Sequence, residues 1–269
     1  MTPTDRTRQN ARLFDAVAAS YDEVGFLALA TRHLLSRVAV RPGDAMLDIA
    51  TGTGVVALAL AEAVGTAGRV VGVDLAPGMV AAARAKAAGV PQLSFEVGDA
   101  SALPFPDAGF DGVVCGAGLF FMPDMTAALR EWRRVLRPGG QVVFSVFGRG
   151  LLGELPGWWR EDLAALGAKP GSPPLGRVPT PEAAADLLTG AGFTGVTADL
   201  TVLPYTLPSP EARWADITAG LEGVPLAGFP PEAVEQVRSA HLARLRAAVP
   251  NWPLTVPVPV IVARGEREG

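Results

Sequence analysis

The residues with the clearest chemical potential are two carboxylates and the glycines between them. Residues 48–54 read DIATGTG, and Asp74 ends the segment VVGVD twenty residues after Gly54. Glycine can adopt positive φ angles and lets a ligand approach the main chain closely. An acid at the end of the next strand is typical of a side chain that binds the two hydroxyls of a ribose. The pattern predicts a site for a nucleoside-bearing cofactor.

The glycines alone do not distinguish a dinucleotide site from other nucleoside sites. Three positions beyond Gly54 stands Ala57, which the dinucleotide pattern G-x-G-x-x-G/A allows. Asp48 is more informative, because its negative charge at the mouth of the loop would repel the pyrophosphate of a dinucleotide. The same charge would attract ammonium or sulfonium groups. The loop therefore favours a positively charged nucleoside cofactor.

This loop resembles that of the class I methyltransferases, which use S-adenosylmethionine. The form D-x-A-x-G-x-G at residues 48–54 is most similar to the branch that includes the ubiquinone- and menaquinone-biosynthesis methyltransferases. Other segments are similar to further motifs of the family, in the expected order and spacing from about residue 14 to 147. These segments are 14–22 (a lid over the cofactor), 97–105 (VGDASALPF), 110–114 (FDGVV), 122–124 (MPD) and 136–140 (LRPGG).

The resemblance implies S-adenosylmethionine as the cofactor and S-adenosylhomocysteine as its product. Asp74 would hold the ribose, Asp99 the adenine amino group, and the Asp48 loop the methionine portion. Met79 and Cys115 are also typical core residues. The cofactor-binding residues that we predict are Tyr21, Asp48, Ala50, Thr51, Gly52, Gly54, Asp74, Leu75, Met79, Asp99, Ala100, Cys115, Gly116 and Phe120.

Alternating strands and helices must position these residues. The apolar runs predict strands at 45–50, 69–74, 93–98, 110–115, 141–147, 194–205 and 255–264. Helices are predicted at about 54–64, 77–88, 124–136, 209–220 and 231–249. Such alternation in the first part of the chain is typical of a parallel sheet with helices on both faces. Because parallel strands end at one edge, Asp48, Asp74 and Asp99 should meet there.

The resemblance further implies an α/β fold with a doubly wound, Rossmann-like sheet of seven strands. The order would be 3-2-1-4-5-7-6, with the last strand antiparallel. We predict a single domain over residues 1–269, with a cofactor-binding core at 41–148. Helical segments would cover the edge of the sheet that carries the site: an N-terminal lid at 1–40, and segments at 149–178 and 209–249. A proline- and glycine-rich loop is predicted at 169–179.

Composition and charge argue against several classes of protein. The net charge of −4 disfavours a nucleic-acid-binding surface, and no apolar run reaches the ~18 residues of a membrane span. The N-terminus, MTPTDRTRQN, lacks the apolar core of a secretory signal, and one cysteine permits no internal disulfide. We therefore predict a cytoplasmic protein, monomer or homodimer, with no metal site.

The acceptor site is the part that the sequence determines least. Many relatives carry a histidine pair just before the Pro-Asp of the fourth loop, where this chain has Phe120 and Phe121. The two histidines of the chain, His33 and His241, are weak candidates for a catalytic base. Each also fits a helix face that packs, which is the more ordinary interpretation. The catalytic residues therefore stay unknown at this point.

Several aromatic side chains could line a pocket for a planar or lipophilic acceptor. We expect two or three of them to face the pocket and the others to lie in the core. The set is Phe120, Phe121, Trp158, Trp159, Trp214 and Trp252. A base is not essential for this chemistry, because the sulfonium is already activated and alignment of the acceptor supplies much of the acceleration.

The resemblance thus predicts transfer of a methyl group from S-adenosylmethionine to O, N or C of a small, largely apolar molecule. An NAD(P)-dependent oxidoreductase would share the glycine loop and the ribose acid. Asp48 and the lack of a recognisable catalytic Tyr/Lys pair argue against it. A methyltransferase-fold protein that binds the cofactor without transferring a methyl group would keep the same cofactor residues, and it remains a further alternative.

Overall fold

A seven-stranded sheet forms the centre of the structure, a computed structural model that describes residues 3–168 and 174–269. The strands are β1 (Ala45–Ile49), β2 (Arg69–Asp74), β3 (Leu93–Val97), β4 (Phe110–Gly116), β5 (Leu136–Phe147), β6 (Thr194–Leu207) and β7 (Leu254–Glu266). They lie in the order β3-β2-β1-β4-β5-β7-β6. The first five are parallel, and β7 is antiparallel to both of its neighbours. The fold class and sheet order predicted from the sequence are confirmed.

Helices surround this sheet. Those of the described residues are α1 (Pro3–Val17), α2 (Gly25–Leu35), α3 (Val55–Val64), α4 (Pro77–Lys86), α5 (Met125–Val135), α6 (Leu155–Ala165), α7 (Pro181–Gly190), α8 (Pro210–Ala219) and α9 (Pro231–Ala248). Short 3₁₀ turns lie at Tyr21–Glu23, Leu119–Phe121, Leu175–Arg177 and Leu221–Gly228. The side chains of Asp124, Thr180 and Ser209 cap the helices that follow them by accepting a backbone N–H.

One strand begins earlier than predicted. β5 starts at Leu136 and not at residue 141, because Leu136 lies opposite Phe110 of β4. A register shift then leads to the next aligned pair, Gly112 and Gln141. The segment LRPGG, expected as a turn before the strand, is thus the irregular first part of the strand itself.

The apolar side chains form a large core on the sheet and a smaller one in the helical cover. All five residues of β1 are buried in the centre of the sheet. The cover consists of α6, α8, α9 and the turn Leu221–Gly228. The smaller core joins them through the buried residues Trp159, Leu163, Ile217, Leu226 and Val237. The cover is therefore held together by its own packing as well as by contact with the sheet.

Residues 169–173, in the first half of the predicted proline- and glycine-rich loop and within the predicted cover segment 149–178, lie outside the described residues. Within the described ranges, none of the helices combines the length and the apolar character that a bilayer span requires.

Candidate cofactor site

A cavity of about 550 Å³ lies where β1, β2, β3 and β4 end. This volume is within the range of pockets that bind small molecules. Of the predicted cofactor residues, its wall includes Tyr21, Asp48, Ala50, Thr51, Gly52, Asp74, Leu75, Asp99, Ala100 and Gly116. The three carboxylates expected at this edge of the sheet are therefore brought to one cavity.

Four of the predicted cofactor residues lie outside the wall. Met79, Cys115 and Phe120 are each at most 1% exposed and belong to the apolar packing behind it. Successive residues of a strand face opposite sides of the sheet, so Gly116 lies on the cavity wall while the Cys115 side chain points into the core. Gly54 precedes α3 with φ of +85°, and its α-carbon faces α4 and β3.

Asp48 is the buried acid of the site. It is 1% exposed, and the Thr51 hydroxyl donates to its Oδ2 atom at 2.6 Å. No hydrogen bond of normal geometry reaches its Oδ1 atom from the described residues. Burial raises the pKa of Asp48 to about 7, and the Thr51 hydroxyl and the Ala57 backbone N–H oppose part of that shift. A buried carboxylate oxygen without a donor fits a cofactor that brings an ammonium group to this position.

Asp74 joins the glycine loop to the next strand. Its Oδ2 atom accepts the backbone N–H of Gly52 at 2.8 Å, and its Oδ1 atom accepts that of Ala76 at 2.9 Å. Burial raises the pKa of Asp74, and these donors oppose that shift. Each carboxylate oxygen can accept a second hydrogen bond, so both remain able to bind ribose hydroxyls.

Asp99 follows β3 and is exposed, and its Oδ1 atom accepts the backbone N–H of Ser101 at 2.8 Å. The neighbouring Ala100 carbonyl accepts the indole N–H of the buried Trp132 at 3.0 Å. Trp132 therefore fixes the segment that would face the adenine. Sequence reasoning did not identify Trp132, although a tryptophan on the apolar stripe of α5 was visible.

The turn Tyr21–Glu23, which we call the lid turn because it falls in the predicted lid, lines the cavity at the strand ends. Tyr21 packs edge-to-face against Phe14 of α1 at 5.9 Å between ring centroids, and Phe14 packs against Phe121 at 5.0 Å. Burial, followed by the charges of Asp74 and Asp22, raises the pKa of Tyr21. The phenol is therefore neutral at physiological pH, a hydrogen-bonding group in the roof of the cavity.

The wall beyond the carboxylates, which we call the distal wall, is mostly apolar. It includes Ala11, Phe14, Leu27, Ala28, Thr31, Phe121, Met122 and Phe147. The sequence did not identify the α2 residues, although Leu27 and Thr31 stand four positions apart and so share a helix face. Their helical spacing was the available signal, but it does not reveal which cavity the face lines.

The expectation that two or three of the chosen aromatic residues face the pocket is wrong. Phe121 is the one member of that set on the wall. Trp159 and Trp214 pack edge-to-face against each other at 5.7 Å in the cover. Trp158 and Trp252 are partly buried against the large core. Packing within the two cores, which the sequence does not specify, buries these side chains away from the cavity.

Neither histidine lies on the cavity wall. His241 is fully buried in the cover, with its Nδ1 atom 2.6 Å from Asp162 Oδ2 and its ring against Trp159. Burial lowers the pKa of His241, and burial with the charge of Arg37 lowers that of His33. The structure therefore does not bring either weak candidate to the site. The described residues also contain no cluster of metal-ligating side chains.

Comparison with known proteins gives a consistent result for the central part of the chain. Residues 46–140 match the family described as "Methyltransferase domain". The demethylmenaquinone methyltransferase of Lysinibacillus sphaericus is 37% identical over 137 residues, which cover 49% of this chain and 58% of that protein. The protein of the same name from Staphylococcus aureus is 38% identical over 138 residues, covering 49% and 57%. The match thus spans less than two thirds of the length of these relatives.

Among solved structures, the YcgJ protein of Bacillus subtilis has a similar fold. Its TM-score is 0.60, over 90% of this chain and 99% of that one, at 20% identity. The likeness at this identity concerns the fold alone. With the domain match and the relatives at 37–38% identity, it confirms the recognition made from the motifs. Over its central part, residues 46–140, the chain carries a methyltransferase domain that is similar to those of the menaquinone-biosynthesis methyltransferases.

Proposed function

We propose that this chain transfers the methyl group of S-adenosylmethionine to O, N or C of a small, uncharged, largely apolar molecule. The observation that carries the proposal is the Oδ1 atom of Asp48, a buried carboxylate oxygen to which no described residue donates with normal geometry, on a cavity wall that also holds Asp74 and Asp99. An adenosyl cofactor with an ammonium group complements all three acids. When bound, it supplies an activated methyl group on its sulfonium.

Each acid has a distinct role in this proposal. Asp48 pairs with the ammonium group, Asp74 accepts hydrogen bonds from the ribose, and Asp99 accepts one from the adenine amino group. Tyr21 and the α1 helix exclude water from above. The backbone donors on Asp74 keep the glycine loop and the ribose acid in a fixed relation, so the site is organised before the ligand arrives.

We expect an uncharged acceptor because the described residues of the wall beyond the carboxylates offer it no charged partner. The titratable side chains that line the cavity in the described chain are Tyr21, Asp22, Asp48, Asp74, Lys86 and Asp99. All of them belong to the lid turn, the strand ends or α4. Among the described side chains, the apolar wall formed by α1, α2 and the turn after β4 adds none. A carboxylate or phosphate buried there would lose its hydration without compensation.

This wall also determines what the chain can do for the reaction. Since the described side chains of this wall include no titratable group, we expect an acceptor atom that is nucleophilic without a protein base, as a neutral amine or an acidic phenol or enol is. The chain then contributes alignment of the acceptor behind the methyl group and exclusion of water.

The charges of the wall argue against a nicotinamide dinucleotide. Four carboxylates and one ammonium line the cavity in the described part of the chain, and that ammonium, on Lys86, is paired with Asp22. A pyrophosphate would face this excess of negative charge without a cationic partner. The oxidoreductase alternative is therefore disfavoured by the same residues that favour the adenosyl cofactor.

Calorimetric titration with S-adenosylmethionine, S-adenosylhomocysteine and NAD tests the cofactor. Micromolar binding of the two adenosyl ligands without binding of NAD supports the proposal, and binding of NAD alone overturns it. A screen for release of S-adenosylhomocysteine then compares matched acceptors, a neutral aromatic amine or phenol against its carboxylated analogue. Turnover of the neutral member supports the acceptor class. Cofactor binding with no product from any acceptor would favour the non-transferring alternative.

We further propose that residues 1–269 act as one domain, because a single sheet carries both the site and the strands that support the cover. A monomer or homodimer and a cytoplasmic location stay predictions. Sedimentation and fractionation, respectively, would test them.

A further inference from the structure

One polar cluster at the rim of the cavity has no role in the chemistry proposed above. The carboxylate of Asp22, in the lid turn, accepts hydrogen bonds on both oxygens: Oδ1 from the Thr53 hydroxyl and Oδ2 from the Lys86 ammonium. Lys86 also donates to the Thr53 carbonyl at 3.1 Å. Three separate elements, the lid turn, the glycine loop and the end of α4, therefore meet at one carboxylate.

The other side of the lid turn is tied to the helical cover. The Ser20 hydroxyl donates to the Ala219 carbonyl at 3.0 Å, at the end of α8. The Gly25 backbone N–H donates to Asp216 Oδ1 at 3.1 Å, and Asp216 Oδ2 accepts the Tyr205 hydroxyl at 2.8 Å. The contacts at residues 20 and 25 fix the two ends of the segment. Asp22 is then the contact that holds its middle against the cofactor loop.

We infer that Asp22 is a positioning residue, which holds the turn Tyr21–Glu23 closed over the glycine loop, so that its contacts with Thr53 and Lys86 limit how fast the cofactor leaves. The inference rests on the proposed function. Tyr21 adjoins Asp22 and lies on the cavity wall close to Asp74, so the turn cannot lift without uncovering the proposed ribose site.

The burial of the cluster suits a reversible contact. Thr53 is 3% exposed, whereas the Lys86 and Asp22 side chains are 34% and 41% exposed. The contact on the loop side is therefore shielded, and the ion pair on the outer side is open to water. Salt screens ion pairs that are open to water, so ionic strength should affect release of the ligand.

The experiment measures the dissociation rate of S-adenosylhomocysteine by chase with excess unlabelled ligand. It compares wild type with Asp22→Ala, Lys86→Met and the double variant. The matched control is Asp199→Ala, which removes the exposed Arg37–Asp199 ion pair, distant in sequence and on β6. Asp22→Ala and Lys86→Met should each release ligand at least fivefold faster than wild type. The double variant should be no faster than the faster single one, since both changes open the same contact.

Two further measurements distinguish a positioning role of Asp22 from a direct contact between Asp22 and the ligand. Higher salt should accelerate release from wild type but not from Asp22→Ala. Hydrogen exchange without ligand should be faster at the amides of Glu23 and Val24 in Asp22→Ala than in wild type or Asp199→Ala.

Release from Asp22→Ala at the rate of the control, or exchange at these amides that matches wild type, would overturn the inference. A wild-type protein that binds no S-adenosylhomocysteine would instead overturn the proposed function. The exchange comparison would still decide in that case whether Asp22 holds the turn.

Discussion

Gly52 donates its backbone N–H to Asp74 Oδ2 at 2.8 Å, across the gap between the glycine loop after β1 and the end of β2. The φ angle of Gly52 is +54°, a conformation that favours glycine. One hydrogen bond therefore links the loop proposed to hold the methionine portion of the cofactor to the acid proposed to hold its ribose.

Replacement of Asp74 should weaken the binding of S-adenosylhomocysteine by at least tenfold, or about 1.4 kcal/mol. Asp74→Ala removes both the ribose acceptor and the anchor of the glycine loop. Calorimetry on the variant gives the dissociation constant, and circular dichroism checks that it is folded. Asp107→Ala, an exposed acid away from the cavity, serves as the control. A folded Asp74→Ala protein with unchanged affinity would contradict the placement of the ribose.

Affinity for S-adenosylhomocysteine should rise with pH up to about pH 7. Burial raises the pKa of Asp48 to about 7, so the ligand-free site is largely protonated below that value and ionised above it. Pairing with the ammonium of the ligand requires the ionised form. The dissociation constant should therefore increase by up to about tenfold for each pH unit below 7.

Titrations between about pH 5.5 and 8 check this dependence. Asp48→Asn should bind more weakly and lose the slope, whereas Asp99→Asn, which changes an exposed acid of the same site, should keep it. A slope that survives in Asp48→Asn would mean that another group controls binding.

Gly54→Ala should destabilise the protein more than Gly89→Ala. Both glycines have positive φ, +85° and +89°, so both substitutions carry the backbone cost of about 1–2 kcal/mol. A Cβ at Gly54 would also lie 2.8 Å from Phe95 and 3.0 Å from Ala83, while one at Gly89 would meet nothing within 4 Å.

Overpacking should add about 1–3 kcal/mol to the loss of stability in Gly54→Ala. Urea denaturation of the two variants measures the difference. Equal losses would show that α3 and α4 can move apart at this point without cost.

His241→Ala should lower stability by about 2–4 kcal/mol without changing the rate of methyl transfer. The substitution leaves a cavity beside Trp159 and removes a partner of the buried Asp162. His33→Ala, at a half-buried position outside the cavity, should change neither quantity by much. A large fall in turnover by a stable His241 variant would return this histidine to the list of catalytic candidates.

The acids of the site could be located from sequence because parallel β-strands constrain them strongly. Asp48 and Asp74 each stand at the end of a short apolar run, and the pairing of β1 with β2 puts Ile49 opposite Val73, one residue before Asp74. The sequence pattern of each strand and the pairing of the two strands therefore both place these acids in one cavity.

The distal wall could not be located in the same way. Trp158 and Trp159 are adjacent, yet one packs on the large core and the other on the core of the cover. Which of these surfaces a helix buries depends on contacts with segments far along the chain. The periodicity of a single helix shows that a face is apolar but does not specify its partner.

Cys115, the single cysteine of the sequence, lies fully buried in β4, and burial raises the pKa of its thiol. Thiol reagents act on accessible thiolates, so the natural protein should be almost inert toward them. The chain is therefore ready for site-specific labelling without prior removal of a native cysteine. A fluorophore on a cysteine introduced at the exposed Glu23 would report the movement of the lid turn directly.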